Sequence, residues 1–379
     1  MFPPKTVLLT VVLVLISAIQ VVAQPQGEID WNRARELRQR SIRGEKLTED
    51  EQSYLQRAVE LRQKQRPQQR RPVEIKPPVG LIPLTDMTGD DRYKGQDGGL
   101  YGDGKNEPPQ EHLEAALHHA KMIRPFDAEG EPSHDGKLVM ISVGMSNTTQ
   151  EFSAFVRLAN ADPAKSPNVV IVEGAQGGME ASDWAYPEKR FRQERPSPWD
   201  VLDRRFQQAK VSRQQVQVVW IKQARRNPAS LGEFPKHAEE MKGDLVIVLQ
   251  KLKERFPNLR IAYLSSRIYA GYAKTPLNPE PYAYESAFVV RWLIQDQIKG
   301  EPSLNYDSDK GTVKSPLLLW GPYLWADGEN GRKIDDLVWK SEDLAGDGTH
   351  PSDSGRQKVA ELLLGFMKND PTANVWFAK

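Results

Sequence analysis

The chain reads as an α/β protein, a mostly parallel five-stranded sheet covered by helices on both faces, with a helical and loop extension at its N-terminal side. Two observations predict this. Short, mostly apolar runs at 138–143, 168–172, 216–221, 259–264 and 316–320 are separated by helix-length stretches. Strands of this kind belong to a sheet buried on both faces, and the α/β alternation makes neighbouring strands parallel. With 379 residues, 39% of them hydrophobic, the chain can bury one sizeable core and still carry appendages.

Residues 1–23 carry a single lysine, Lys5, then an apolar run from Val7 to Val22 that ends at Ala23. This pattern is that of an export leader cleaved near Ala23, and it places the mature protein in the periplasm or outside the cell, with no stable insertion in the membrane after cleavage. Residues 24–83 form a polar helical extension and a Pro-rich linker. Thr48 with Glu51 three positions on marks a helix start, and the Gln-Arg-Pro stretch at 65–72 and the prolines from Pro77 to Pro83 have no helix or strand pattern. Residues 84–136 hold a glycine-dense loop, Tyr93 to Asn106, that either wraps the core, rims a cleft or cradles a cation, and then a helix at 111–123. That helix carries His112, His118 and His119, whose spacing fits surface or core-edge histidines better than metal ligands. The α/β domain occupies 137–379.

Composition removes several functions. The 52 lysines and arginines nearly equal the 51 acids, which leaves no basic footprint for nucleic acid. With no cysteine, disulfides, thiol catalysis and cysteine-bound metal are all excluded. An arylsulfatase-like or phosphate-transferring metal enzyme is a third and weaker reading, because the sequence lacks a clustered set of histidines and acids.

The chemistry concentrates in two stretches. In Gly346-Asp347-Gly348-Thr349-His350-Pro351-Ser352 a carboxylate precedes a histidine by three residues in a turn, just before a helical run at 356–367. A carboxylate-held imidazole is the base that a hydroxyl nucleophile requires. Ser146 stands where the first strand ends, in Gly144-Met145-Ser146-Asn147, and either serves as nucleophile or caps the next helix. Both Ser146 and the glycines after the second strand, Gly177 and Gly178, fall beyond the carboxyl ends of strands, where open α/β sheets bind ligands.

These residues resemble the SGNH (GDSL-like) hydrolases. Gly144-Met145-Ser146-Asn147 occupies the place of that family's first block, with Met145 where an aspartate is usual; Asp347 and His350, with Pro351 and Gly355, match its last block. The whole chain also looks like secreted members from planctomycete-type bacteria that share the Gly-Met-Ser-Asn stretch. The resemblance covers roughly residues 138–370 and implies a flavodoxin-like α/β/α fold and ester hydrolysis, including removal of acyl groups from sugars. It implies Ser146 as nucleophile, His350 as base and Asp347 as its orienting acid. The implied oxyanion hole is the amide of Ser146 with Gly177 or Gly178, and a carboxamide after the third strand. The family's usual Gly-x-Asn-Asp there is replaced by Lys222-Gln223-Ala224-Arg225-Arg226-Asn227, so Gln223 is the expected donor and Asn227 the other choice.

For the substrate, Arg267, Tyr269 and Tyr272 follow the fourth strand and Trp325 follows the fifth, so all four are expected near the cleft. Arg267 either binds a substrate carboxylate or sulfate or pairs with an internal acid such as Glu285. The aromatic residues would suit a sugar ring or ordinary loop packing. The expected activity is therefore that of an exported serine esterase, acting on a carbohydrate O-acyl group without cofactor or metal. The competing reading is a non-catalytic glycan-binding module on the same fold.

Overall fold

The computed structural model describes residues 29–42, 47–64, 79–190 and 196–379. The expected leader at 1–23 and the linker at 65–78 lie outside the described residues. No helix among those described is long and apolar enough to cross a membrane.

The chain divides into two compact units, at residues 1–70 and 71–379. The first contains α1 (Trp31–Ile42) and α2 (Glu49–Lys64). Thr48 and Glu51 form the reciprocal cap at the start of α2, each backbone amide donating to the other's side chain at 2.9 and 3.3 Å. Among its described residues Ala34, Leu37 and Ala58 are buried apolar side chains, and the Asp30 amide donates to the Tyr54 hydroxyl.

The second unit is built on strands β1 (Leu138–Gly144), β2 (Val169–Val172), β3 (Val216–Lys222), β4 (Ile261–Leu264) and β5 (Leu317–Trp320). All pair in parallel, in the order β2-β1-β3-β4-β5. Seventeen of their residues are Val, Ile or Leu, and apart from Val170 every strand position is buried, as a sheet covered on both faces demands. The covering helices are α3 (Gln110–Lys121), α4 (Ser146–Ala161), α5 (Ala181–Ala185), α6 (Pro187–Arg190), α7 (Pro198–Ala209), α8 (Lys236–Arg255), α9 (Tyr282–Ile298), α10 (Asp353–Asn369) and α11 (Asn374–Phe377). Pro235 stands at the N-cap of α8, which begins at Lys236. Where the sequence shows only an irregular aromatic passage, α5 to α7 bury Trp184 and Trp199 edge to face, with ring centroids 4.9 Å apart.

The glycine-dense loop wraps the core. The Tyr93 hydroxyl donates to Glu285, the Arg291 guanidinium to the Asp97 carbonyl, and the Trp320 indole to the Leu100 carbonyl. Each joins the loop to α9 or β5, so the Tyr93 hydroxyl and these stretches of loop backbone are spent on packing.

Because β1 is flanked by β2 on one side and β3 on the other, the strand order reverses between β1 and β3. The crevice beyond their carboxyl ends is the binding position of such a sheet.

Candidate active site

Ser146 is the first residue of α4, directly after β1. The N-cap position belongs to Met145, which has extended backbone and no side-chain cap bond, so the serine hydroxyl is not engaged in capping. Instead its Oγ lies 2.8 Å from Nε2 of His350, 204 residues later in the chain. The approach is tight. A Cβ on Gly144 would come within 2.3 Å of the Thr148 hydroxyl and 2.4 Å of the Lys222 carbonyl, so only glycine lets β1 turn into α4 against β3.

The histidine is held from behind. Its Nδ1 stands 2.6 Å from Oδ2 of Asp347, while Oδ1 accepts the backbone N–H groups of Thr349 and His350, both at 3.0 Å. A carboxylate at Nδ1 fixes the proton there and leaves Nε2 as the acceptor facing the Ser146 hydroxyl. Burial alone would raise the Asp347 pKa, but the bonds from the His350 ring and from the two amides outweigh it and hold the carboxyl well below the usual carboxylate range. The loop that shapes this geometry closes on itself: Ala345 donates to the His350 carbonyl and Gly348 to that of Ala345, both at 2.8 Å. Gly348 has φ +65°, and a Cβ there would lie 1.8 Å from the Tyr272 carbonyl. Across the site, Asn147 Nδ2 donates to the Thr349 carbonyl at 2.9 Å and Arg356 of α10 to Gln150 of α4 at 3.0 Å. These bonds fasten the helix that begins with the serine to the loop that carries the histidine.

Gly177 stands beside the serine, since a Cβ added to it would lie 3.9 Å from the Ser146 Cβ. The loop is folded there because the Ser142 hydroxyl accepts the amides of Gly174 and Ala175, and the Gln176 amide donates to the Gly144 carbonyl. Gly178 follows with φ +78°. Gln223 comes one residue after Lys222, the partner of Gly144 in the β1–β3 ladder, and so flanks the β1–α4 turn. It is buried; its Oε1 accepts the Ala224 amide, and its Nε2 has no partner. Asn227 is exposed at the start of a 3-10 turn, with φ +50° and its amide bonded to the Leu277 carbonyl. Of the two carboxamides, Gln223 alone adjoins the end of the β1–β3 ladder.

Two of the expected rim aromatics are in the core. Trp325 is fully buried, its indole donates to Glu280 at 2.8 Å, and its ring lies 4.7 Å from that of Tyr284. Tyr269 is fully buried as well, packed against Tyr272 and Trp325. The chain turns inward after β4 and β5, so neither presents a face to a sugar. Tyr272 is half-buried, with its hydroxyl donating to the Trp339 carbonyl and its own carbonyl against Gly348. The expected pairing of Arg267 with Glu285 does not form. Glu285 accepts from Tyr93, Lys94 and His237 instead.

An ion pair missed by the sequence reading lies under the site. Lys222, the last residue of β3, pairs with Glu151 in the second turn of α4, and both side chains are essentially inaccessible (1% and 0% exposed). Burial pushes Lys222 down to about 8, Glu151 opposing and Arg267 adding to the shift. A lysine closing a mostly apolar strand was the available signal, because a buried ammonium requires a partner.

A groove of about 880 Å³ is lined by α3 and by residues between 297 and 314, and includes none of these side chains. A smaller one of about 560 Å³ is lined by Glu180, Asp183, Arg190, Arg226 and their neighbours, and Arg190 also bonds the Gly178 carbonyl.

No family model matches the chain, and no curated protein matches it in sequence. Among solved structures it is similar to a protein from Bacteroides fragilis NCTC 9343 assigned as an acylhydrolase, at 13% identity over 70% of this chain and all of that one, with a TM-score of 0.35. It is also similar to a carbohydrate esterase whose active site displays divergent catalytic and non-catalytic binding functions (13% identity, 63% and 70% covered, TM-score 0.33). An extracellular lipase from Streptomyces rimosus matches at 11% identity, over 60% of this chain and 99% of that one, with a TM-score of 0.30. The likenesses are distant and concern the fold; they assign neither a family nor a planctomycete origin.

Proposed function

We propose that the chain is an exported serine esterase that removes an O-acyl group, by preference acetyl, from a carbohydrate. One observation carries the reading: a hydroxyl, an imidazole and a carboxylate from distant parts of the sequence stand in a continuous hydrogen-bonded line of 2.8 and 2.6 Å at the strand-order reversal of the sheet. Ser146 Oγ attacks the ester carbonyl as its proton passes to His350 Nε2, and Asp347 stabilises the imidazolium. The tetrahedral oxyanion is received by the amides of Ser146 and Gly177 or Gly178, and by the Gln223 carboxamide, whose buried N–H is otherwise unpartnered. Collapse expels the alcohol, which takes the proton from Nε2. Water then attacks the acyl-serine, with His350 again as base, and releases the acid and the free hydroxyl.

The carbohydrate half of the reading is supported by the family resemblance. Burial of Tyr269 and Trp325 weakens the glycan-binding module, which needs exposed aromatic platforms. The test is acetate release from p-nitrophenyl acetate and from O-acetylated sugars. Wild type should release acetate from both, and Ser146→Ala should release none above background; folded wild type inert on both would sink the esterase reading.

A further inference from the structure

Among the described residues Arg267 is a buried cation with no ion-pair partner. The residue is 4% exposed, and its Nε and Nη2 are sealed from solvent without a hydrogen-bond partner. The three acids whose charges act on it are Glu151, Glu280 and Asp347. Each is engaged elsewhere: Glu151 with Lys222, Glu280 with the amides of Ala270 and Tyr284 and the indole of Trp325, and Asp347 with His350. An enclosed guanidinium with no carboxylate hydrogen-bonded to it is costly, and its planar fork is shaped for an oxyanion such as a carboxylate.

The place of Arg267 in the fold relates it to the candidate active site. Beyond β4 the Ser265 amide donates to the Ile221 carbonyl, so the chain continues alongside the end of β3 that leads to Gln223. A few residues on, the Tyr272 carbonyl lies against Gly348, and the Lys274 amide donates to the Asp347 carbonyl at 2.9 Å. Arg267 thus sits on the stretch that spans from the Gln223 side of the crevice to the Asp347–His350 loop. Two further buried groups flank that stretch without partners, Gln223 Nε2 and Thr349 Oγ1.

We infer that Arg267 anchors an anionic group, a carboxylate or a sulfate half-ester, carried by the substrate close to its scissile ester. This deepens the esterase reading and rests on it for the word substrate. The anion would complete a buried ion pair in the bound state, and the neutral analogue would leave the guanidinium as it is in the free protein.

The test is calorimetric binding to full-length Ser146→Ala protein, which cannot turn the ligand over. The probes are mono-O-acetyl glucuronic acid, mono-O-acetyl glucose, its 6-sulfate, and inorganic sulfate. One of the two anionic sugars should bind roughly ten- to a hundredfold more tightly than the neutral sugar, the range expected for a charge-assisted bond. Arg267→Gln in the same background should abolish that preference, and Arg267→Lys should keep part of it. Equal affinity for all three sugars would overturn the inference, as would a preference that survives Arg267→Gln. Binding of inorganic sulfate alone would overturn it too, because the site would then hold a free anion. If Arg267→Gln does not fold, Arg267→Lys decides: a preference undiminished by Arg267→Lys would overturn the inference. These readings are independent of catalysis, so a chain inert towards esters would fail the functional proposal through a different measurement.

Discussion

At the scale of single residues, the site depends on how its hydrogen-bonding capacity is divided. Asp347 gives one oxygen to two backbone amides and the other to the imidazole, so the same carboxylate sets the loop and the tautomer. Gln223 gives its oxygen to the Ala224 amide and keeps a buried N–H in hand. A donor left unpartnered in the free protein and used only when an oxyanion forms is what lowers a barrier without tightening ground-state binding. Gln223→Ala should therefore lower kcat by about 10²–10³-fold with little change in KM, measured by steady-state ester hydrolysis. An unaltered kcat would remove Gln223 from the reaction. The Asp347–His350 spacing was readable in the sequence because both lie on one tight turn. The fates of Arg267, Tyr269 and Trp325 were not, because which way a chain turns after a strand end depends on what already fills the interior. The internal partner considered for Arg267, Glu285, is claimed by the Tyr93–Lys94 turn nearly 200 residues earlier, and no local pattern reveals that.

Secondary-structure elements carry the site through the junction of α4 with β3. The Thr148 hydroxyl donates to the Lys222 carbonyl at 2.6 Å, and one turn further along α4 the Glu151 carboxylate meets the Lys222 ammonium. The helix that begins with Ser146 is thereby locked to the strand that leads to Gln223. Lys222→Met should destabilise the fold by about 3–5 kcal/mol in denaturant unfolding, since it strips Glu151 of its closest counter-charge. Adding Glu151→Leu should restore much of the loss, because two apolar groups replace a buried pair. A neutral single substitution would contradict this account of the junction. The strands were legible as elements because fully buried parallel strands are mostly apolar runs, and their ends fall within a few residues of those runs. Helices α1 and α5 to α7 were not. Their apolar residues are few or grouped around prolines and tryptophans, and their helical form follows from local caps such as Ser197 with Asp200 and from packing of Trp184 on Trp199.

For the molecule as a whole, function depends on a long-range closure. Ser146 and His350 are joined across 204 residues only because β1 and β3 are neighbours at the centre of the sheet and the chain returns along α10 to pack beside α4. Sequence order and spacing pointed to one crevice, and the resemblance to SGNH hydrolases gave its residues their expected roles. The distances that would make them act together belong to the folded chain. The most direct measurement is the intact mass of the protein after incubation with a fluorophosphonate, which labels a serine only when it is activated by a neighbouring base. A single adduct on wild type, absent in Ser146→Ala and sharply reduced in His350→Ala, is the predicted result. A folded wild type that gains no mass, or a Ser146→Ala protein that is labelled as before, would contradict the claim that these residues form a working nucleophile and base.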